Sequence, residues 1–361
     1  INNNNKEKQM KKITKIALAL LTSFSLSFSA IAGELSVTGS AKASYVIGGA
    51  ERDAGKGLGV SNEFKLGAAG ELDNGMGWNY SVALDPSATT GTANNDDQSL
   101  TINMNSLGTA GVFITTGGLS QELAHGVGAN GTGSDFASTM TMKYGDDVSN
   151  YHNIQYHTPA DLLPFGIGAK VGYVPNLANT TATAADFKAQ GTQNAQELGA
   201  DATHYQLSAK PIDGLNISAD YFETSGAKTA GQVPTSGNVA ANYTVGAFTI
   251  GAQQGFYDVG LTAKVGVTNY ESETLGIQFA LNDAISLSVS EEKQTAKTRA
   301  NIVSAATSAV KTNVESTVSS VQLAYNVGGA TLGLTRVESD NSDFTTARDE
   351  EMTLVTMVMA F

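Results

Sequence analysis

The stretch that decides the fold is residues 64–84, FKLGAAGELDNGMGWNYSVAL. In its first half Phe64, Leu66, Ala68 and Leu72 alternate with Glu63, Lys65 and Glu71; in its second half Trp78, Tyr80, Val82 and Leu84 alternate with Asn79, Ser81 and Asp85. Successive side chains of a strand point to opposite faces, so each half reads as a strand with one apolar and one polar side. Between them lies Asp73-Asn74-Gly75-Met76-Gly77. Asparagine and glycine tolerate the positive φ that a tight hairpin turn needs. The unit is a β-hairpin with a greasy face.

The same pattern continues in both directions. Leu35, Val37, Ala41, Ala43, Tyr45 and Ile47 share one face of an extended segment, and Ser36, Thr38, Ser40, Lys42 and Ser44 share the other. Apolar alternates recur at Leu100/Ile102/Met104, Ile154/Tyr156, Ile167/Ala169/Val171/Tyr173, Tyr205/Leu207, Leu215/Ile217/Tyr221, Val239/Ala241/Tyr243, Phe248/Ile250/Ala252, Leu275/Ile277/Phe279, Ile285/Leu287/Val289, Val321/Leu323/Tyr325 and Leu332/Leu334. In Gly111–Thr116 either Val112/Ile114 or Gly111/Phe113 serves as the apolar set. Connections sort into short ones (73–77, 105–109, 159–165, 212–214, 246–247, 282–284, 328–330) and long polar ones (49–59, 86–97, 117–150, 175–202, 224–237, 257–271, 295–317, 340–350). Brief turns on one side and long loops on the other are the organisation of an up-and-down transmembrane β-barrel.

Composition excludes much else. The chain has 361 residues, no cysteine, 15% charged residues, and 34 acidic against 21 basic side chains. A nucleic-acid binder would need a basic face; a disulfide scaffold or cysteine zinc site needs the missing cysteines. At the N-terminus, Met10-Lys11-Lys12 precedes a short apolar centre from Ile16 to Leu21 and small residues at Ala30 and Ala32. These are the three parts of a secretory signal peptide, expected over 10–32 with cleavage after Ala32. Residues 1–9 read as an upstream translated extension and 33–361 as one barrel domain. Removing 1–32 leaves 16 basic and 33 acidic residues, a net charge of −17.

With the signal peptide, the Leu72-Asp73-Asn74-Gly75 hairpin followed by Trp78, the segment Asn153-Ile154-Gln155-Tyr156-His157-Thr158-Pro159, and a last strand in which Val355, Met357, Met359 and Phe361 alternate, the chain resembles the general porins of Gram-negative outer membranes. The resemblance implies an all-β antiparallel barrel of 16 strands with short periplasmic turns, long extracellular loops and a third loop folded into the lumen. It implies passive diffusion of small hydrophilic solutes, a homotrimer in contact with outer-membrane lipid and lipopolysaccharide, and insertion machinery that reads the last strand, here Phe361, Met359, Met357 and Val355. The count rises to 18 if Met140/Met142/Tyr144 and Leu261/Ala263/Val265/Val267 form extra strands.

A barrel of 16 strands is too wide for its side chains to fill. The polar alternates, among them Ser36, Thr38, Ser40, Asn79, Ser81, Thr101, Asn103, Gln155 and His157, are expected to line the water-filled interior. In the family the third loop sets acids against a basic wall; the matching stretch, 117–150, offers Glu122 and Asp135, and the facing strands offer Lys42, Lys65 and Lys170. The chain departs from the family in lacking several wall arginines and the Pro-Glu-Phe-Gly-Gly loop motif. Excess acid favours cations in such a pore. Loops 179–202 and 296–317, where Ile302, Ala306, Val310 and Val314 are four apart, suggest short helices. Asn94-Asn95-Asp96-Asp97 reads as a solvated loop. The four histidines (125, 152, 157, 204) are scattered outside any catalytic motif, so no enzyme, cofactor, metal or nucleic-acid partner is expected. The competing reading is a secreted or surface-anchored adhesive β-protein.

Overall fold

The computed structural model describes residues 34–48, 57–86, 93–137, 140–159, 162–177, 201–225, 233–260, 266–299 and 311–361. The signal segment 10–32 and the extension 1–9 lie outside the described residues. The strands are β1 (Glu34–Gly48), β2 (Leu58–Glu71), β3 (Gly77–Pro86), β4 (Ala93–Asn103), β5 (Thr109–Ile114), β6 (His152–His157), β7 (Gly168–Val174), β8 (Asp201–Ala209), β9 (Leu215–Ser225), β10 (Thr235–Val245), β11 (Phe248–Asp258), β12 (Gly266–Ala280), β13 (Ile285–Arg299), β14 (Lys311–Val327), β15 (Ala330–Asp340) and β16 (Glu350–Ala360). Each pairs antiparallel with its neighbours in sequence, and β1 pairs with β16, so the sheet is a closed barrel. Among the described residues sixteen strands form. Met140, Met142 and Tyr144 add none: they lie in the connection between β5 and β6, inside the barrel. Val267 belongs to β12, and Leu261, Ala263 and Val265 lie outside the described residues.

Burial is inverted relative to a soluble fold. Leu35 (74% exposed) and Leu58 (83%) face outward, while Gln155 (2%), Gln294 (1%) and Glu292 (1%) are buried. Register explains the sorting. Along β9 and its neighbours Leu207 pairs with Ala219, Ala219 with Val239 and Ala241 with Ala252, all pointing out; Gln206 pairs with Asp220 and Asp220 with Asn238, all pointing in. The ambiguous segment resolves the same way. Val112 pairs with both Leu100 and Ile154 on the outer face, which turns Phe113 inward onto the His157 ring, 6.2 Å away.

The turn at 73–77 forms as its residues dictate. Gly75 (φ +78) donates to the Leu72 carbonyl at 2.8 Å, and the Asn74 side chain accepts from the Met76 N–H at 3.1 Å. Outward aromatics lie at two levels. Phe248 and Phe279 stack at 4.6 Å near the short turns, and Tyr221 and Phe256 meet at 6.5 Å toward the long loops. Amphipathic rings at both edges of an apolar band match the two interfaces of a bilayer.

Two expectations are corrected, and a third falls almost wholly outside the described residues. Asn94-Asn95-Asp96-Asp97 is part of β4 rather than a loop. Residues 296–299 and 311–317 continue β13 and β14, so the four-residue apolar spacing there does not make a helix through those positions; Ile302, Ala306 and Val310 lie outside the described residues. Of 179–202, the ends at 201 and 202 begin β8 and the rest lies outside the described residues.

Closure depends on one seam. The Gly39 N–H donates to the Phe361 carbonyl at 2.8 Å and the Phe361 N–H returns to Gly39 at 2.9 Å, while the Phe361 ring sits 5.6 Å from Phe64. A Cβ on Gly39 would stand 2.8 Å from that ring and 2.7 Å from the Glu63 carbonyl. Gly39→Val is therefore expected to lower the temperature at which the SDS-resistant barrel unfolds on a gel by roughly 5–10 °C. The outward neighbour Ala41→Val should leave it unchanged.

Candidate functional site

The connection between β5 and β6, described at 115–137 and 140–151, turns into the barrel instead of away from it. The reversal needs Thr115 (φ +50) and Gly117 (φ +79), and the missing Gly117 side chain leaves room for the Phe113 ring and the Gln155 amide. Gln155 donates to the Gly117 carbonyl. Both limbs of the loop are then tied by one carboxylate. Asp147 accepts from the N–H groups of Leu119 (3.0 Å), Ser120 (2.5 Å) and Ser149 (2.7 Å). The next N–H, of Gln121, donates to Asp220 on β9 at 2.7 Å, and Asn238 and His204 donate to the same carboxylate at 3.1 Å each. The buried His204 ring thus stands between two acids, with Nδ1 at 3.9 Å from Asp147. Leu119, Val148, Val174, Ala202 and Phe222 pack beside it as an apolar cluster on the inner wall.

Beyond this root the loop runs along the wall. A loop that pairs with no strand would leave its backbone polar groups unsatisfied, and here wall side chains take that role. Gln206 donates to the Leu119 carbonyl (3.0 Å), Asn242 to that of Ala124 (3.2 Å), and Ser288 accepts from the Ala129 N–H (2.8 Å). Gln322 binds both neighbours, accepting from Asn130 and donating to Gly131, each at 2.7 Å. At the tip Glu292 accepts from the Ser134 hydroxyl at 2.6 Å and its N–H at 3.2 Å. On the return limb Gln294 holds Lys143 by its N–H (2.6 Å) and its carbonyl (2.9 Å). Gly251 and Gly276 are paired wall positions on which Val127 rests, too close for any side chain. A second apolar cluster, Met140, Met142, Val318, Val337 and Met352, seats the returning segment.

The loop covers the inner wall from β7 round to β16, leaving the remaining passage against β2 to β4 and the Ser36–Lys42 part of β1. Lys42, Lys65, Ser36, Thr38, Ser40, Asn79, Ser81, Thr101 and Asn103 all occupy inward positions there by register. Lys42 reaches the loop tip, with Nζ 5.9 Å from the centre of the Phe136 ring, next to Asp135. Lys65 is one strand further, opposite Thr38. Lys170 is not part of this gap: it sits on β7 toward the short turns, paired with His157, whose ring is 2.8 Å from Gln155. Glu122 gathers with acids, not bases. Burial first, then the charges of Asp147, Asp220 and Asp135, push its carboxyl up to about 7 against the favourable bond from Ser120. Burial also raises Asp135. The residues that hold the loop, Glu292, Asp147, Asp220 and His204, were not singled out by sequence; the polar alternation Ser286/Ser288/Ser290 extended to Glu292 and Gln294 was the available signal.

No protein-family model and no curated protein matches the chain. Solved structures do. The anion-selective porin from Comamonas acidovorans aligns with a TM-score of 0.62 and 12% identity over 91% of this chain and 100% of that one. OmpT of Vibrio cholerae in its trimer form gives 0.59 and 11% over 91% and 100%. Salmonella typhi OmpF in complex with daunomycin gives 0.57 and 10% over 93% and 100%. The fold is that of outer-membrane porins.

The clamp at Asp147 is testable by protease. Lys143 is the one trypsin site on the return limb and its backbone is held by Gln294, so trypsin should leave the bond after Lys143 uncut in the folded wild type, whatever it cuts in the outer connections. Asp147→Ala strands three backbone donors, on the order of 3 kcal/mol or more of loop seating, and cleavage after Lys143 should appear on the gel.

Proposed function

We propose that the chain is an outer-membrane porin, a water-filled channel through which small hydrophilic solutes and ions diffuse passively, with a preference for cations. The observation that carries this reading is the combination of an apolar outer face, a polar interior and a loop clamped inside the closed barrel. Polar side chains are turned inward at every level of the wall, where only water or solute can meet those that the loop leaves open. No bond needs to be made or broken, and we read the chain as a channel and not an enzyme: His204, with Nε2 3.1 Å from Asp220, is buried against two acids and serves to hold the loop.

Selectivity follows from the passage walls. Glu63 on β2 and Asp135 at the loop tip lie beside Lys42 and Lys65, Glu122 lies with Asp147 and Asp220 at the loop root, and an excess of acid along the passage concentrates cations. Fold alone sets no sign, since a structure of the same architecture is described as anion-selective. Localisation in the outer membrane, export by the segment 10–32, assembly as a homotrimer, contact with lipopolysaccharide and recognition of Phe361, Met359, Met357 and Val355 by the insertion machinery belong to the same proposal. The trimeric state of a structural neighbour supports the assembly.

Reversal potentials in a KCl gradient across a planar bilayer test the reading. Because the Glu122 carboxyl is raised to about 7, it is neutral below that pH and charged above it. Cation preference is expected to rise, by roughly threefold in permeability ratio, as pH goes from about 5.5 to 8.5, and Glu122→Gln should flatten the rise. A channel that favours chloride at every pH would contradict the cation assignment; a protein that conducts nothing would contradict the channel.

A further inference from the structure

At the long-loop end of the lumen three aromatic rings form a continuous row. Tyr257 on β11 and Tyr270 on β12 are directly paired and face inward, their rings stacked at 6.0 Å and nearly parallel at 11°. Phe344, in the connection between β15 and β16, sets its ring 5.0 Å from Tyr270, tilted by 56°. To reach β12 that connection crosses above β14 and β13. It adopts a strained path: Asn341, Asp343, Phe344 and Ala347 all have φ between 51 and 61°. Such residues each cost on the order of 1 kcal/mol or more and persist only where surrounding structure enforces them. Here it does so through hydrogen bonds. Asn341 donates to the Glu315 carbonyl (2.9 Å) and accepts from the Ala347 N–H (2.8 Å), and Ser342 bonds the Arg348 carbonyl (2.7 Å) and the Ser339 hydroxyl (2.8 Å). Packing of the barrel itself does not require Phe344 in this place, since the wall beneath it is already closed by the β12–β13 and β13–β14 ladders.

The charges around the row are mainly negative. Asp146 acts on Tyr257 and Asp343 on Tyr270. Arg348 is engaged, 3.5 Å from Asp343 and 2.8 Å from Glu350. The Asp146 carboxylate is fixed in position by Asn150 and the Tyr151 hydroxyl. All three residues are half-buried, and the loop backbone at Gly145 lies against the Tyr257 ring. Faces of aromatic rings attract cations, most strongly those weakly hydrated enough to shed water. Carboxylates at the edges add to that attraction and oppose anions.

We propose that Tyr257, Tyr270 and Phe344 form a capture site for organic cations that carry a flat or N-alkylated group, at the outer mouth of the lumen. A potassium ion keeps its hydration shell and gains little from the rings; a solute that pairs a ring or methyl groups with a positive charge gains from both features. The site would raise the local concentration of such solutes ahead of the constriction. This inference deepens the reading of the interior as a solute path, and its binding step can be measured apart from conduction.

The probe is benzyltrimethylammonium, with benzenesulfonate as the anionic control. In planar bilayers the ammonium, added on the long-loop side, is expected to interrupt the KCl current in brief concentration-dependent events, and benzenesulfonate is not. Phe344→Leu and Tyr270→Leu should each weaken the apparent affinity about fivefold or more, with KCl conductance unchanged, and Tyr270→Phe should retain most of it. In parallel, saturation-transfer NMR on the detergent-solubilised barrel reads binding without any current. Equal response to both probes, or unchanged affinity in Phe344→Leu and Tyr270→Leu barrels that still resist SDS, would overturn the site. Normal cation-preferring conductance without ammonium binding removes this inference alone. Binding without conductance removes the channel reading and leaves the site.

Discussion

Backbone amides in hydrocarbon must find partners within the protein, because each unpaired group costs several kcal/mol. In this chain that requirement is met by bringing β1 against β16, with Gly39 and Phe361 exchanging both hydrogen bonds at the seam. Much else follows from closure. A closed sheet in a bilayer must turn its apolar alternates outward, which is why leucines are exposed while glutamines and a glutamate are buried. Sixteen strands then enclose more space than their inward side chains occupy. The interior is left to water unless another part of the chain enters it.

The β5–β6 loop enters it and faces a second version of the same requirement. Its peptide groups have left bulk solvent without joining a ladder. Wall glutamines, asparagines, serines and carboxylates supply the missing partners, and two apolar clusters, one around Phe222 and one around Val318, replace polar lining where the loop covers the wall. The acids used for this, Asp147, Asp220 and Glu292, are consumed as structural acceptors. Those not used in this way are Glu63, Glu122 and Asp135, with Lys42 and Lys65 on the uncovered side. A division between acids that hold the loop and acids that meet solute is the main feature that coordinates add to a count of charges.

Sequence carried the barrel because its signal is local. Alternation at Phe64/Leu66/Ala68 and the Asn74-Gly75 turn need only neighbouring residues to be read, and both form as read. Strand ends were less legible. The outward face of the later strands turns charged before the strands finish, at Glu271, Glu273, Glu291, Lys293, Arg336 and Glu338, so reading strands by apolar alternates stops too early and makes loops of β13 and β14. The loop anchors were illegible for another reason: the partners are far apart in the chain, 99 residues between Gln121 and Asp220 and 192 between Asn130 and Gln322. Inward apolar residues such as Phe222 and Val337 break the two-residue period only because the loop covers them, and no local pattern announces that cover.

The central claim is that the connection between β5 and β6, described at 115–137 and 140–151, lies inside the barrel with its tip against the β13–β15 wall. The native chain has no cysteine, so a single engineered pair reports on it without background. A Cβ at Gly133 would lie 3.1 Å from that of Ser320 on β14, a few tenths of an ångström inside the roughly 3.5–4.5 Å that a disulfide spans, so a small outward shift of the loop tip lets the bond form. With Gly133→Cys and Ser320→Cys combined, oxidation of the folded, membrane-embedded protein should give a near-quantitative intramolecular disulfide, seen as a mobility shift on a non-reducing gel. Two free thiols that react with a bulky maleimide added outside the barrel would contradict the placement of the loop, and with it the constriction.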